Sequence, residues 1–106
     1  MRQELQYPPY SRLALLRFEG PQESQVRDAA SRVAELLRER SAKTSGGVAV
    51  LGPAPAPLAR LREQWRYQIL LRAKARPHLR QALQGVLRGQ PDDVRCIVDI
   101  DPVHML

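Results

Sequence analysis

The chain contains one cysteine, Cys96, two histidines and five aromatic residues among its 106 positions. A single thiol excludes an internal disulfide. Cys96, His78 and His104 are far apart and lack the spacing of a metal site, so no metal ligand is assigned. Because Tyr7, Tyr10, Phe18, Trp65 and Tyr67 are the whole aromatic complement, the core has to be built from Leu, Val, Ile and Ala. No apolar run approaches the roughly 20 residues needed to span a bilayer, and no secretory leader pattern opens the chain. These absences read as a cytoplasmic protein without a membrane partner. Also missing are G-x-x-x-x-G-K-[ST], G-x-G-x-x-G and G-x-S-x-G, which leaves no familiar nucleotide cradle or nucleophile elbow. Asp99 and Asp101 share one phase of a strand with no Glu nearby and only His104, which reads as a surface residue of the tail, and this favours a structural role over acid–base work. No catalytic residue is assigned, and the length suits one domain but not a complete helicase or polymerase.

What the sequence has in excess is arginine: fifteen of its seventeen cations, giving a net charge of +6. The distribution is uneven. Residues 53–91 hold eight cations against Glu63 alone, whereas residues 92–106 set Arg95 against four aspartates. A basic middle and an acidic end point to a polyanionic partner for the middle.

Residues 1–11 read as a lead-in segment or interdomain linker, stiffened by Pro8 and Pro9, with Tyr7 and Tyr10 suited to a junction with a preceding domain. Arg12–Phe18 is a short apolar run suited to a strand. From Pro21 to about Arg40, Val26, Ala29, Ala30, Val33, Leu36 and Leu37 recur at helical spacing. Val48–Leu51 reads as a second strand stopped by Gly52 and Pro53, and the alternating Pro53, Pro55 and Pro57 read as a stiff projecting loop. Trp65–Lys74 alternates, with Trp65, Tyr67, Ile69, Leu71 and Ala73 on one side and Arg66, Gln68, Leu70, Arg72 and Lys74 on the other. Pro77 suits a first helical position, and Leu79, Ala82, Leu83, Val86 and Leu87 form a stripe ended by Gly89 and Pro91. Val94, Cys96, Val98 and Ile100 alternate along a last strand, where Cys96 reads as a small buried residue.

The order strand, helix, strand, strand, helix, strand is most simply an α+β, ferredoxin-like sandwich over residues 12–102, with four strands and both helices on one face, followed by a tail, 103–106. Strand order is open at this point. Arg60 and Arg62 on the proline-rich loop, with Arg66, Arg72 and Lys74 on the polar side of the third strand, are spaced cations of the kind that follow a sugar–phosphate backbone. A solvated basic surface is the alternative. Base reading is not expected, because Trp65 and Tyr67 share the apolar phase rather than the polar one. Arg76 adds a forked cation to the amides of His78 and Leu79, expected to be unpaired after Pro77, and together these suit a carboxylate from a protein partner.

The blocks Tyr7-Pro8-Pro9-Tyr10, Arg12 to Leu16, Leu51 to Pro57, Arg66 to Leu71, Arg76 and Asp99-Ile100-Asp101-Pro102 occur in an order that resembles the C-terminal region of the PriA family of primosomal replication-restart helicases, also called primosomal protein N′. The likeness runs over residues 4–102. It implies a noncatalytic last domain of an ATP-dependent 3′-to-5′ DNA helicase, contacting stalled forks, with ATP and zinc bound only by upstream domains outside this chain. No cofactor is expected here. It further implies as partners forked or single-stranded DNA, the helicase lobes of the same polypeptide, and the acidic tail of the single-stranded-DNA-binding protein, with Arg76 as candidate receptor. A module that braces the lobes and docks proteins, with little DNA affinity, is the other reading. Glu63 and Gln64 stand where the family often has small or basic residues.

Overall fold

A computed structural model describes residues 12–43 and 48–100. The predicted lead-in segment, the Tyr7–Tyr10 junction, Asp101 and the tail lie outside the described residues. The elements are β1 (Arg12–Gly20), α1 (Glu23–Lys43), β2 (Ala49–Leu61), β3 (Gln64–Ala73), α2 (Arg76–Leu83) and β4 (Arg95–Ile100). They form one sheet in the order β2-β3-β1-β4, antiparallel at every pairing. Both helices pack on one side of it: α1 against β1, β2 and β3, and α2 against β1, β3 and α1. This is the ferredoxin-like sandwich that the alternation of periods implied.

The core follows from two phases meeting. Ala14, Leu16 and Phe18 on β1 stand opposite Leu71, Ile69 and Tyr67 on β3, and all six are buried. Onto them α1 lays Val26, Ala29, Ala30, Val33, Ala34 and Leu37, where three alanines let the helix approach closely. Glu23 in its first turn and Arg40 and Lys43 in its last complement the helix dipole. Several α1 cations are spent on structure. Arg38 donates to the carbonyl of Gly52, Arg40 to that of Gln81 at 3.1 Å and Arg32 to that of Gly89 at 3.4 Å. Ser41 fixes the start of β2 by donating to the Val48 carbonyl while accepting from the Val48 amide at 3.2 Å.

Four expectations are corrected. First, the proline-rich segment is not a projecting loop: β2 runs through it, pairing Ala54 with Gln68 and Pro55 with Tyr67, and Ala56 is buried. An edge strand pairs on one side only, so alternate residues turn their nitrogens to solvent and proline costs little there. The irregularity appears as register shifts between Leu51 and Ala54 and between Pro55 and Arg60, beside a cis Gly52–Pro53 bond. Second, α2 is one short helix, with Val86 buried in the turns beyond it rather than in a continued stripe. Third, the amide of His78 is not free, because it donates to the Ala75 carbonyl at 3.1 Å. Fourth, β4 is an edge strand: Cys96 is half-buried, and Val98 and Ile100 remain exposed despite their apolar phase, since α2 packs over β1 and β3 instead.

Candidate nucleic-acid interface

Registers decide which side chains meet on the sheet face opposite the helices. Across β3, β1 and β4 one row is Arg66, Glu19, Arg95, the next is Gln68, Arg17, Ile97, and the next is Leu70, Leu15, Asp99. Leu15 is buried yet stands outside the helix-side core cluster, which fits its place on this second face. Glu19 is the hub of the first two rows. Its Oε1 lies 3.1 Å from Nη2 of Arg95, and its Oε2 lies 3.5 Å from Nε of Arg66 and 3.9 Å from Nη1 of Arg17. The carboxylate is only 14% exposed, whereas Arg95 is 75% exposed.

The five cations expected on a DNA path do not form one patch. Arg66 and Arg72 share the face away from the helices, but six residues of strand put them about 20 Å apart. Arg72 pairs in register with Leu13 at the far end, and Lys74 is exposed just past β3 rather than in it. Arg60 lies near the end of β2 opposite Trp65, with its guanidinium 5.3 Å from the indole centroid and 2.9 Å from Glu63 Oε1. Trp65 follows the core phase, so Arg60 stands on the helix side of the sheet. Arg62 sits in the hairpin turn itself. Arg62 and Glu63 connect the paired Leu61 and Gln64 with φ of 53° and 66°, the type I′ geometry that matches strand twist.

Arg76 opens α2 and lines a groove of about 710 Å³ with Leu79, Arg80, Leu83, Gln84 and Ile100. Two guanidinium groups beside three branched apolar side chains suit an acidic peptide with an apolar anchor.

Sequence reading missed Arg17, Glu19 and Arg95 as functional candidates. The signal was present in part: Leu13, Leu15, Arg17 and Glu19 alternate with the buried residues of β1. What was missing was the β1–β4 register, which brings Arg95 from the acidic end of the sequence into the cationic row. Two titrating groups are perturbed away from this face. Tyr67 donates to Glu23 Oε2 at 2.9 Å, and that bond, with burial, raises the phenol above its ordinary pKa. Burial pushes the Cys96 thiol up to about 12, which makes it a poor nucleophile. Among the described residues no group of three or more His, Cys, Asp or Glu is placed to hold a metal ion.

Fold and face together define a small ferredoxin-like domain with a cationic sheet. In three dimensions it resembles the de novo designed protein Foldit4, with a TM-score of 0.66, 14% identity and coverage of 87% of this chain and 97% of that one, a likeness of fold alone. The chain belongs to the family described as the primosomal protein N C-terminal domain, whose profile matches residues 3–103. Among its relatives, the replication restart protein PriA of Synechocystis sp. is 33% identical over 104 residues, covering 98% of this chain and 12% of that protein. The probable PriA of Deinococcus radiodurans is 37% identical over 102 residues, covering 96% of this chain and 11% of the relative. The PriA of Bacillus subtilis is 27% identical over 110 residues, covering 99% and 13%. The chain thus spans about an eighth of the length of these relatives.

Proposed function

We propose that this domain is a noncatalytic DNA-binding part of a replication-restart helicase, holding sugar–phosphate backbone at stalled forks without reading sequence. The single observation that carries this reading is the face of β3 turned from the helices, where Arg66 and Arg72 stand among further arginines while Trp65 and Tyr67 point the other way. Cations without stacking aromatics bind phosphates but do not select bases. Arg62 in the hairpin turn and Lys74 just past β3 extend this cationic face at its two ends, so a strand of several nucleotides is engaged along the length of β3, while Arg60, on the helix side, lies off that path. The test is binding of single-stranded, duplex and forked DNA across a salt series. About four contacts to single-strand phosphates give a slope of log affinity against log salt near −3, from ~0.7 per contact. Replacing Arg66, Arg72 and Lys74 with Ala flattens that slope and weakens all sequences alike; an unchanged slope removes them from the site.

A second reading rests on the groove beside α2. There Arg76 and Arg80, with Leu79, Leu83 and Ile100 beneath, receive the acidic tail of the single-stranded-DNA-binding protein, while the helicase lobes of the same polypeptide flank the domain. Titration of a tail peptide against the wild type and Arg76→Ala tests this. Equal affinities rule it out, and a loss confined to the peptide separates docking from DNA binding.

A further inference from the structure

We propose that Arg17 and Arg95, arranged by Glu19, form a phosphodiester site for single-stranded DNA on the sheet face opposite the helices; this rests on the DNA-binding reading above. The two arginines come from different strands and are separated by 78 positions in the chain, yet both approach one carboxylate. Glu19 cannot neutralise both. A nearly buried carboxylate shared by Arg17, Arg95 and Arg66 holds the guanidiniums in place, and the three cations outnumber Glu19 and Asp99, the carboxylates of these rows, so one positive charge remains for an incoming anion. Arg95 carries most of its side chain in solvent, so its fork is reachable without unfolding any element.

The neighbour of this pair indicates which form of DNA fits. Ile97, 36% exposed, stands in register with Arg17 and two positions from Arg95 on the same face. An apolar side chain between two phosphate-binding cations gains nothing from a duplex, whose bases are stacked inside and whose outer surface is charged backbone. It does gain from a single strand, where a sugar or an unstacked base lies beside each phosphate. Arg66, across Glu19 from Arg95, continues the row toward β3 and joins this site to the path already proposed. Glu19 acts here as a positioning residue and touches no DNA itself.

The experiment uses the whole chain with a fluorescent oligothymidine and with a duplex of equal length, in wild type, Arg17→Gln/Arg95→Gln and Ile97→Ser. The Gln pair keeps side-chain length and hydrogen bonding while removing charge, and thermal melting confirms that each variant is folded. Losing two single-strand contacts is expected to lower the salt slope by about 1.4 and the affinity by roughly 25-fold at 0.1 M salt. Ile97→Ser is expected to weaken the single strand several-fold and leave the duplex unchanged. Unaltered slope and affinity in the Gln pair, with the Arg66/Arg72/Lys74 variant still impaired, overturn this site and leave the general reading standing. Equal losses for duplex and single strand in both variants overturn the choice of ligand. Absence of salt-dependent binding in wild type overturns both.

Discussion

Replacing Arg62 and Glu63 together by Asn and Gly is expected to stabilise the domain, because the β2–β3 turn asks for residues it does not have. Both central positions are left-handed, at φ of 53° and 66°, where an L side chain crowds the following carbonyl. Each such residue costs about 1 kcal/mol or somewhat more. Asn tolerates this region and Gly is free in it, so the pair relieves on the order of 1.5–2 kcal/mol. Two terms oppose. The Arg60–Glu63 ion pair is lost, but with the two side chains 54% and 86% exposed it is worth at most about 0.5 kcal/mol. A new glycine also gains freedom in the unfolded chain, which costs about another 0.5 kcal/mol. The net is a stabilisation of roughly 0.5–1 kcal/mol, or a rise in Tm of about 2–4 °C for a domain of this size. Differential scanning calorimetry and urea unfolding both read it. Glu63→Val, a β-branched residue placed in the same left-handed position, is the control and is expected to lower Tm. A Tm for the Asn-Gly variant equal to or below wild type refutes the reasoning. The same variant has a functional readout, since removing Arg62 from the cationic surface lowers the salt slope for single-stranded DNA by about 0.7 if that residue holds a phosphate.

Tyr67→Phe is expected to cost about 1 kcal/mol near neutral pH by removing the bond to Glu23. Because the folded phenol titrates above its ordinary 10.0, its contribution is complete below that pH and is lost as pH rises through the folded value. Urea unfolding at pH 8 and in the alkaline range should therefore show a smaller difference between wild type and variant at high pH, and an equal difference at both disproves the coupling. Cys96, with its thiol raised from 9.0 to about 12, should react with a disulfide reagent at pH 8 on the order of 1,000-fold more slowly in the folded protein than in urea. Equal rates would show that the thiolate is not disfavoured by burial.

Much of this architecture is written in local patterns. Arg12–Phe18 and Trp65–Lys74 alternate with period two, and residues 26–37 recur at helical spacing, because each element buries one face and hydrophobic pattern reports that face directly. For β1, α1, β3 and β4 the turn and breaker residues mark the boundaries to within a few positions, whereas β2 runs ten residues past Leu51 and α2 stops at Leu83, well before Gly89. The proline segment lies beyond what a local pattern can report. Proline forbids a central strand, but whether a strand is central or at an edge depends on what lies on its far side, and no local pattern contains that. The same holds for β4, whose apolar phase is regular although Val98 and Ile100 stay exposed.

The candidate site divides along the same line. Composition and local pattern suffice for the charge balance, the strong excess of arginine in residues 53–91, and the side of β3 on which Arg66 and Arg72 fall, since side-chain direction within one strand is fixed by parity. The roughly 20 Å between Arg66 and Arg72 likewise follows from six residues of one strand, but the pairing of strands was needed to put Arg60 on the opposite face and to bring Arg17, Glu19 and Arg95 together across β1 and β4. The physical reason is that cross-strand register is set by long-range packing of whole faces, so residues 78 positions apart become neighbours through a pairing that neither segment specifies alone.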